Sequence, residues 1–96
     1  MNKNINNEQI KGIENMISTK KTNMETALSY YRIVRDEEEE KAVYSDVIPY
    51  IKFKEPTNRI EFIKKWHNNL TAMAMLDYYV ARLEYEEATK LELIIY

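Results

Sequence analysis

Cysteine is absent from this 96-residue chain, glycine occurs once and proline occurs twice. A chain without cysteine has neither a disulfide framework nor a thiolate metal site. Proteins built from sheets with many tight turns usually contain more glycine and proline, because those residues favour turn conformations. The scarcity of both therefore favours long helices with few connections and predicts an all-α fold.

Long apolar runs are also missing from the sequence. No stretch approaches the roughly 20 apolar residues that a helix needs to span a bilayer, and the Asn-rich residues 1–7 lack the apolar core of a signal peptide. We therefore expect a cytoplasmic protein with no membrane partner and a flexible start over residues 1–7. The formal net charge is only −2, which argues against a general nucleic-acid binder, since such proteins usually present a basic face.

The length predicts a single helical domain over residues 1–96, in which a first helical stretch runs from about residue 7 to residue 43. The apolar stripe of this stretch fails at Lys20, and residues 22–25 have the form of a capping box. Two alternatives follow: two helices over about 8–18 and 23–43, or one helix with a polar interruption. The residues at helical spacing are Ile10, Ile13, Ile17, Met24, Leu28 and Tyr31.

Residues 36–40 are all acidic. Consecutive carboxylates on a helix point around its circumference and do not converge on one ion. We therefore interpret the run as a solvated helix face rather than a metal site.

Both prolines lie in residues 45–57, which we predict to be the connector between the two helical halves. Residues 51–54 alternate like a short strand, whereas Ser45 could cap a short helix, so helix and extended chain both remain open over 47–54. Pro56 is expected to stop any continuation of a helix from the connector.

The last helix has the most regular pattern. Residues 58–61 have the form of a capping box, and no glycine or proline follows. We predict one continuous helix from about Asn58 to at least residue 89, about 48 Å long, followed by a strand-like tail over 91–96. Its predicted buried stripe is Ile63, Trp66, Leu70, Met73, Leu76, Val80 and Leu83.

Charge alternates along the chain in four blocks, with net values of +3 for residues 1–35, −5 for 36–48, +3 for 49–67 and −3 for 68–96. Each exposed ion pair contributes only about 0–1 kcal/mol, but the blocks together favour an antiparallel arrangement of the two halves. The pairs expected across it are the 36–46 block with Arg59, Lys64 and Lys65, and Lys11, Lys20 and Lys21 with Glu84, Glu87 and Glu92.

Residues 70–81 are apolar nearly all round, with Thr71 and Asp77 as the clearly polar exceptions. A surface helix needs only one apolar stripe, so this apolar girdle requires cover on more than one side. The expected fold is a long antiparallel hairpin or a small three- or four-helix bundle, with dimerisation as one way to complete it. In each tyrosine pair, one ring should face inward and one outward. The predicted partner-binding residues are Met73, Met75, Leu76, Tyr78, Tyr79, Tyr30 and Tyr31.

Residues able to carry chemistry are few. His67 is the only histidine, and the residue three before it is Lys64, so the Glu-x-x-His pattern of di-metal bundles is missing. No nucleophile with an orienting base and no phosphate-binding glycine loop is recognisable. We therefore predict no catalytic, cofactor-binding or metal-binding residues, and no enzyme.

The leading hypothesis is a non-enzymatic helical protein-interaction module, such as a small phage- or plasmid-borne regulator or inhibitor, that binds a partner protein or forms a homodimer. A small all-helical enzyme is the least favoured hypothesis. The second-ranked hypothesis is a weak nucleic-acid-binding protein that uses the basic connector. Its phosphate-contacting residues would be Lys52, Lys54, Arg59, Lys64 and Lys65.

Overall fold

The computed structural model describes residues 6–46 and 53–91, and every regular element within these two ranges is an α-helix. The predicted all-α class is therefore confirmed. Residues 1–5, most of the connector and the tail beyond Leu91 lie outside the described residues, and so do the predictions made for them. The helices are α1 (Asn7–Val34), α2 (Glu37–Asp46), α3 (Pro56–Trp66) and α4 (Leu70–Thr89).

Helix α4 is the central element, because α1, α2 and α3 all pack against it. The Thr71 hydroxyl at the start of α4 donates to the Val34 carbonyl at the end of α1, 3.0 Å away. Further along α4, the Glu84 carboxylate lies 3.1 Å from the Lys20 ammonium, which is earlier on α1. The two helices are therefore antiparallel, as predicted, and the expected pairing of Lys20 with Glu84 is confirmed.

The core lies around α4 and draws on every helix. Phe53, just before α3, is fully buried, and its ring packs edge-on against that of Phe62 with the centroids 4.7 Å apart. The apolar girdle of residues 70–81 thus finds its cover within one chain, as the centre of a small bundle. The buried core cluster consists of Tyr31, Val43, Phe53, Phe62, Ala72, Ala74, Met75, Leu76 and Leu83.

Helix α1 begins where the sequence predicts and then runs unbroken through Lys20 and residues 22–25. Its capping box is at Asn6, whose side chain accepts from the Gln9 amide while the Gln9 side chain accepts from the Asn6 amide. Of the two alternatives, the second start at residues 22–25 is wrong, and one helix with a polar interruption is confirmed over Asn7–Val34. The Lys20 side chain that interrupts the apolar stripe is instead used in the ion pair with Glu84, so the polar interruption does not break the helix.

The first break falls at Arg35 and Asp36, inside the stretch that was expected to be helical as far as residue 43. The Asp36 carboxylate accepts from the Glu39 amide at 3.0 Å, which caps the start of α2. The Asp36 amide donates to the Thr71 hydroxyl at 3.1 Å. The backbone groups left unpaired by the break are therefore satisfied partly by α4, a partner that lies 35 residues away in the sequence.

The predicted continuous helix from Asn58 to residue 89 is also wrong. The chain turns at residues 67–69, and the Asn69 side chain accepts from the Ala72 amide at 2.9 Å to cap α4. Helix α3 begins at Pro56 rather than at the residue 58–61 capping box. Proline suits the first turn of a helix because its fixed φ is helical and its missing amide needs no partner there, so Pro56 starts α3.

The break at residues 67–69 changes which side of each segment faces the core. Ile63 and Leu70, both predicted to be buried, have 42% and 56% of their surface exposed. Phe62 is buried instead, and Trp66 packs partly buried against the core. The buried residues predicted for one unbroken helix are therefore wrong at Ile63 on α3 and at Leu70, the first residue of α4.

The molecule is elongated, with principal extents of 51 × 26 × 16 Å, because α1 has 28 residues and α4 only 20. Across residues 6–46 and 53–91, none of the helices combines the length and the apolar character that crossing a membrane would require.

Candidate interaction surface

The predicted partner-binding residues divide between the core and the surface. Tyr31, Met75 and Leu76 are at most 7% exposed and belong to the core. While they are buried in this fold, these three side chains cannot contact a partner. Met73 is partly buried against the same core.

The two tyrosine pairs behave differently. Tyr30 is 46% exposed and Tyr31 is buried, so the expected division into one outward and one inward ring is confirmed for this pair. Tyr78 and Tyr79 are both partly buried against the core, and for them the expectation is wrong. The exposed side of α4 is at Asp77 and Glu84, and neither ring lies on it.

Tyrosine hydroxyls tie α2 to its neighbours. The Tyr31 hydroxyl donates to the Glu40 carboxylate, which also accepts from Arg35 Nε at 2.9 Å. The Tyr44 and Tyr79 hydroxyls are hydrogen-bonded to each other at 2.6 Å. These bonds hold the short α2 against α1 and α4, and we interpret them as structural.

The environment of Tyr31 and Tyr79 keeps both phenols protonated. Burial, and then the hydrogen bond to Glu40, raises the pKa of Tyr31 well above its ordinary value. Burial, and then the hydrogen bond with Tyr44, raises the pKa of Tyr79 in the same direction. Neither phenol is therefore available as a general base near neutral pH.

An alkaline titration should show that these two tyrosines stay protonated until the protein unfolds. A pKa that is raised by folding contributes stability below the unfolded-state value of about 10, and this contribution is lost as the pH rises above it. We expect Tyr31 and Tyr79 to ionise only as the helices unfold, when ultraviolet tyrosinate absorbance and circular dichroism are followed together. Tyr31→Phe and Tyr79→Phe should remove only the late phase. Titration of all eight tyrosines in one step with the helices intact would contradict this.

The basic residues proposed for nucleic-acid binding are only partly brought together. Lys54 and Arg59 line a pocket of about 200 Å³, with Glu84 and Glu87 on the opposite helix. Two carboxylates beside two cations weaken the attraction for phosphate. Lys64 and Lys65 are exposed on α3, where the Lys65 ammonium lies 5.6 Å from the centre of the Trp66 ring. Lys52 lies outside the described residues.

The lone histidine has a local role at the end of α3. His67 Nδ1 is 3.2 Å from the Lys64 carbonyl oxygen, one turn earlier, and the side chain is exposed. Over the described ranges 6–46 and 53–91, no group of three or more His, Asp or Glu side chains is arranged to hold a metal ion.

The three most exposed apolar residues are ones that the sequence pattern did not assign to partner binding. Ile33 is 80% exposed, Leu70 56% and Ile60 55%. Ile60 and Ile63 are three residues apart on α3, so they share one side of it, opposite the buried Phe62. The signal was present in the sequence: residues 56–66 carry apolar side chains on two sides of a helix, more than one core-facing side can bury.

This side of α3 has a defined composition, and we call it the α3 outer face. Ile60, Ile63, Lys64 and His67 recur at the i, i+3, i+4, i+7 spacing that places residues on one helical face. All four are exposed. The result is a small apolar strip with a basic rim, carried on a helix whose other side is fixed in the core.

One member of the acidic block pairs with a different residue from those predicted. Glu40 pairs with Arg35, just before α2, rather than with the basic residues of α3. Helices α2 and α3 each pack on α4, and Glu37, Glu38 and Glu39 are exposed. The segment 37–46 has five acidic residues and one basic residue, whereas 56–66 has three basic residues and one acidic residue. The fold therefore packs an acidic helix and a basic helix against the same central helix.

Comparison of the chain with protein-family models, with curated proteins and with solved structures finds no match.

Proposed function

We propose that this chain is a non-enzymatic protein-interaction module, such as a small regulator or inhibitor, that binds a protein partner through the α3 outer face. The observation that carries the proposal is the exposure of Ile60 and Ile63, 55% and 42% of their surface, on one side of a helix. Contiguous exposed apolar surface with a polar rim is typical of interaction sites.

The position of this face supports a binding role. Phe62 is 4% exposed and holds the opposite side of α3 in the core, so the helix is fixed before any partner arrives. A surface that is already ordered loses little conformational entropy when it binds, and this favours affinity. A short amphipathic helix of this kind fits an apolar groove or another helix.

The outward position of Ile60 and Ile63 allows binding to be changed without changing the stability of the fold. Ile60 and Ile63 contribute little to the core because they face away from it. Substitutions there should therefore change binding and leave the helices intact. This property allows the proposal to be tested without unfolding the protein.

Site-specific photo-crosslinking in the host cell tests the proposal. A photoreactive residue at position 63 should give one covalent adduct of discrete mass, whereas the same residue at Thr26, which is exposed on α1, should give none. Adding Ile60→Glu to the position-63 variant should abolish the adduct, since binding would then bury a charge. The absence of an adduct at position 63, or the same adducts at both positions, would show that the α3 outer face is not a protein-binding site.

A further inference from the structure

We infer that the partner of the α3 outer face is a second copy of this chain, with α3 of each copy lying on α2 of the other. The inference rests on the proposed function and names the partner of that same surface. It starts from the opposite charges of two helices that one chain carries.

The charges on the two helices are complementary. Residues 37–46 carry a net charge of −4, and residues 56–66 a net charge of +2. Glu38 and Lys64 are both exposed, each on its own helix. Opposite potentials on facing surfaces favour association and select its orientation, whereas like charges placed together oppose it.

Helices α2 and α3 both use their inner sides to pack on α4. Val43 of α2 is fully buried and Phe62 of α3 is 4% exposed, which fixes both helices. Their outer sides cannot turn toward each other without losing that packing. A second copy can bring an acidic and a basic helix together without any change in either fold.

The apolar residues on the two helices also complement each other. On α3, Ile60 and Ile63 project from the surface. On α2, Ala42 and Ser45 are exposed small residues one turn apart. Small side chains allow a second helix to approach closely, so the isoleucines of α3 can pack on this side of α2.

A twofold axis makes this contact twice, once for each α3. Symmetric dimers of this kind are the commonest soluble oligomers. One contact between helices of 10 and 11 residues is small, and specific interfaces bury about 1,200 Å² or more in total. The reciprocal arrangement doubles the area and uses both charged helices of both copies.

Light scattering and sedimentation on the purified chain test the inference. We expect a dimer at low ionic strength whose dissociation constant rises with added salt, because exposed charges are screened. Ile63→Glu should give a monomer with unchanged helical circular dichroism. A wild-type chain that is monomeric at high protein concentration and low salt would overturn the inference. The proposed function would stand in that case if the position-63 adduct contained a different protein.

A charge-reversal pair gives the sharpest test of the α2–α3 contact. Lys64→Glu and Glu38→Lys should each raise the dissociation constant about tenfold or more, because each symmetric dimer then has two like-charge contacts. An equimolar mixture of the two variants should recover the dimer, since every α3–α2 contact in the mixed dimer again joins opposite charges. Lys21→Glu, an equal charge change at an exposed position on α1, should leave the dimer intact. Failure of the mixture to associate more tightly than either variant alone would overturn the inference.

Discussion

Replacing Phe62 with alanine is expected to lower the free energy of unfolding by about 3–5 kcal/mol. Phe62 is 4% exposed and packs edge-on against the fully buried Phe53, with ring centroids 4.7 Å apart. The substitution removes a buried ring and leaves a cavity that the helices can only partly close. Total stabilities are about 5–15 kcal/mol, so the variant should be largely or partly unfolded. Urea denaturation followed by circular dichroism measures the loss.

The neighbouring residue provides the matched control. Ile63 lies on the same helix but is 42% exposed, so Ile63→Ala should cost less than about 1 kcal/mol, as substitutions outside the core usually do. The measurement should be made on dilute protein, because association through the α3 outer face would add stability to the wild type. Equal losses for the two variants would mean that α3 is turned differently about its axis.

Replacing Thr71 with valine is expected to cost about 2–3 kcal/mol, although the two side chains have nearly the same shape. Thr71 is 1% exposed, and its hydroxyl donates to the Val34 carbonyl at 3.0 Å and accepts from the Asp36 amide at 3.1 Å. Valine would leave both backbone groups without this partner at a partly buried site. Each unsatisfied group costs about 1–3 kcal/mol. The free energy of unfolding in urea measures the total effect.

Serine at the same position is the control for the hydroxyl. Thr71→Ser keeps both hydrogen bonds and loses one methyl group, worth about 0.8 kcal/mol. The Asp36 amide should exchange its hydrogen faster in Thr71→Val than in Thr71→Ser, because only valine removes its acceptor. A valine variant as stable as the wild type, with unchanged exchange at Asp36, would show that the hydroxyl does not hold the break between α1 and α2.

Some of the fold could be predicted because it depends on properties summed over many residues. The scarcity of glycine and proline predicts a helical protein without showing where each helix begins and ends. The charge blocks predict the antiparallel pairing of α1 with α4, and the Lys20–Glu84 ion pair at 3.1 Å confirms it. The apolar girdle predicts cover on several sides, and it forms part of the core. None of these conclusions needs the exact end of a helix.

The helix breaks could not be predicted with the same rules. Residues 22–25 and 58–61 look like helix starts and are not, whereas Asp36 and Asn69 cap helices. A cap contributes only about 1 kcal/mol, which is too little to decide between competing sites. The Thr71 hydroxyl stabilises the first break, because it donates to the Val34 carbonyl before the break and accepts from the Asp36 amide after it. At the second break, Phe62 is buried on α3 and Leu70 is exposed at the start of α4. One continuous line of buried apolar residues therefore cannot run through both helices.

Three features follow from the amino-acid sequence: the helical class, the antiparallel course of α1 and α4, and more apolar residues than a bare two-helix hairpin can bury. Which of those residues are covered depends on the packing of the four helices. Met75 is in the core and Ile60 is at the surface, although both are apolar residues in helices. Apolar character belongs to a side chain and is visible in the sequence. Burial depends on which helices pack around that side chain, and those helices come from distant parts of the chain.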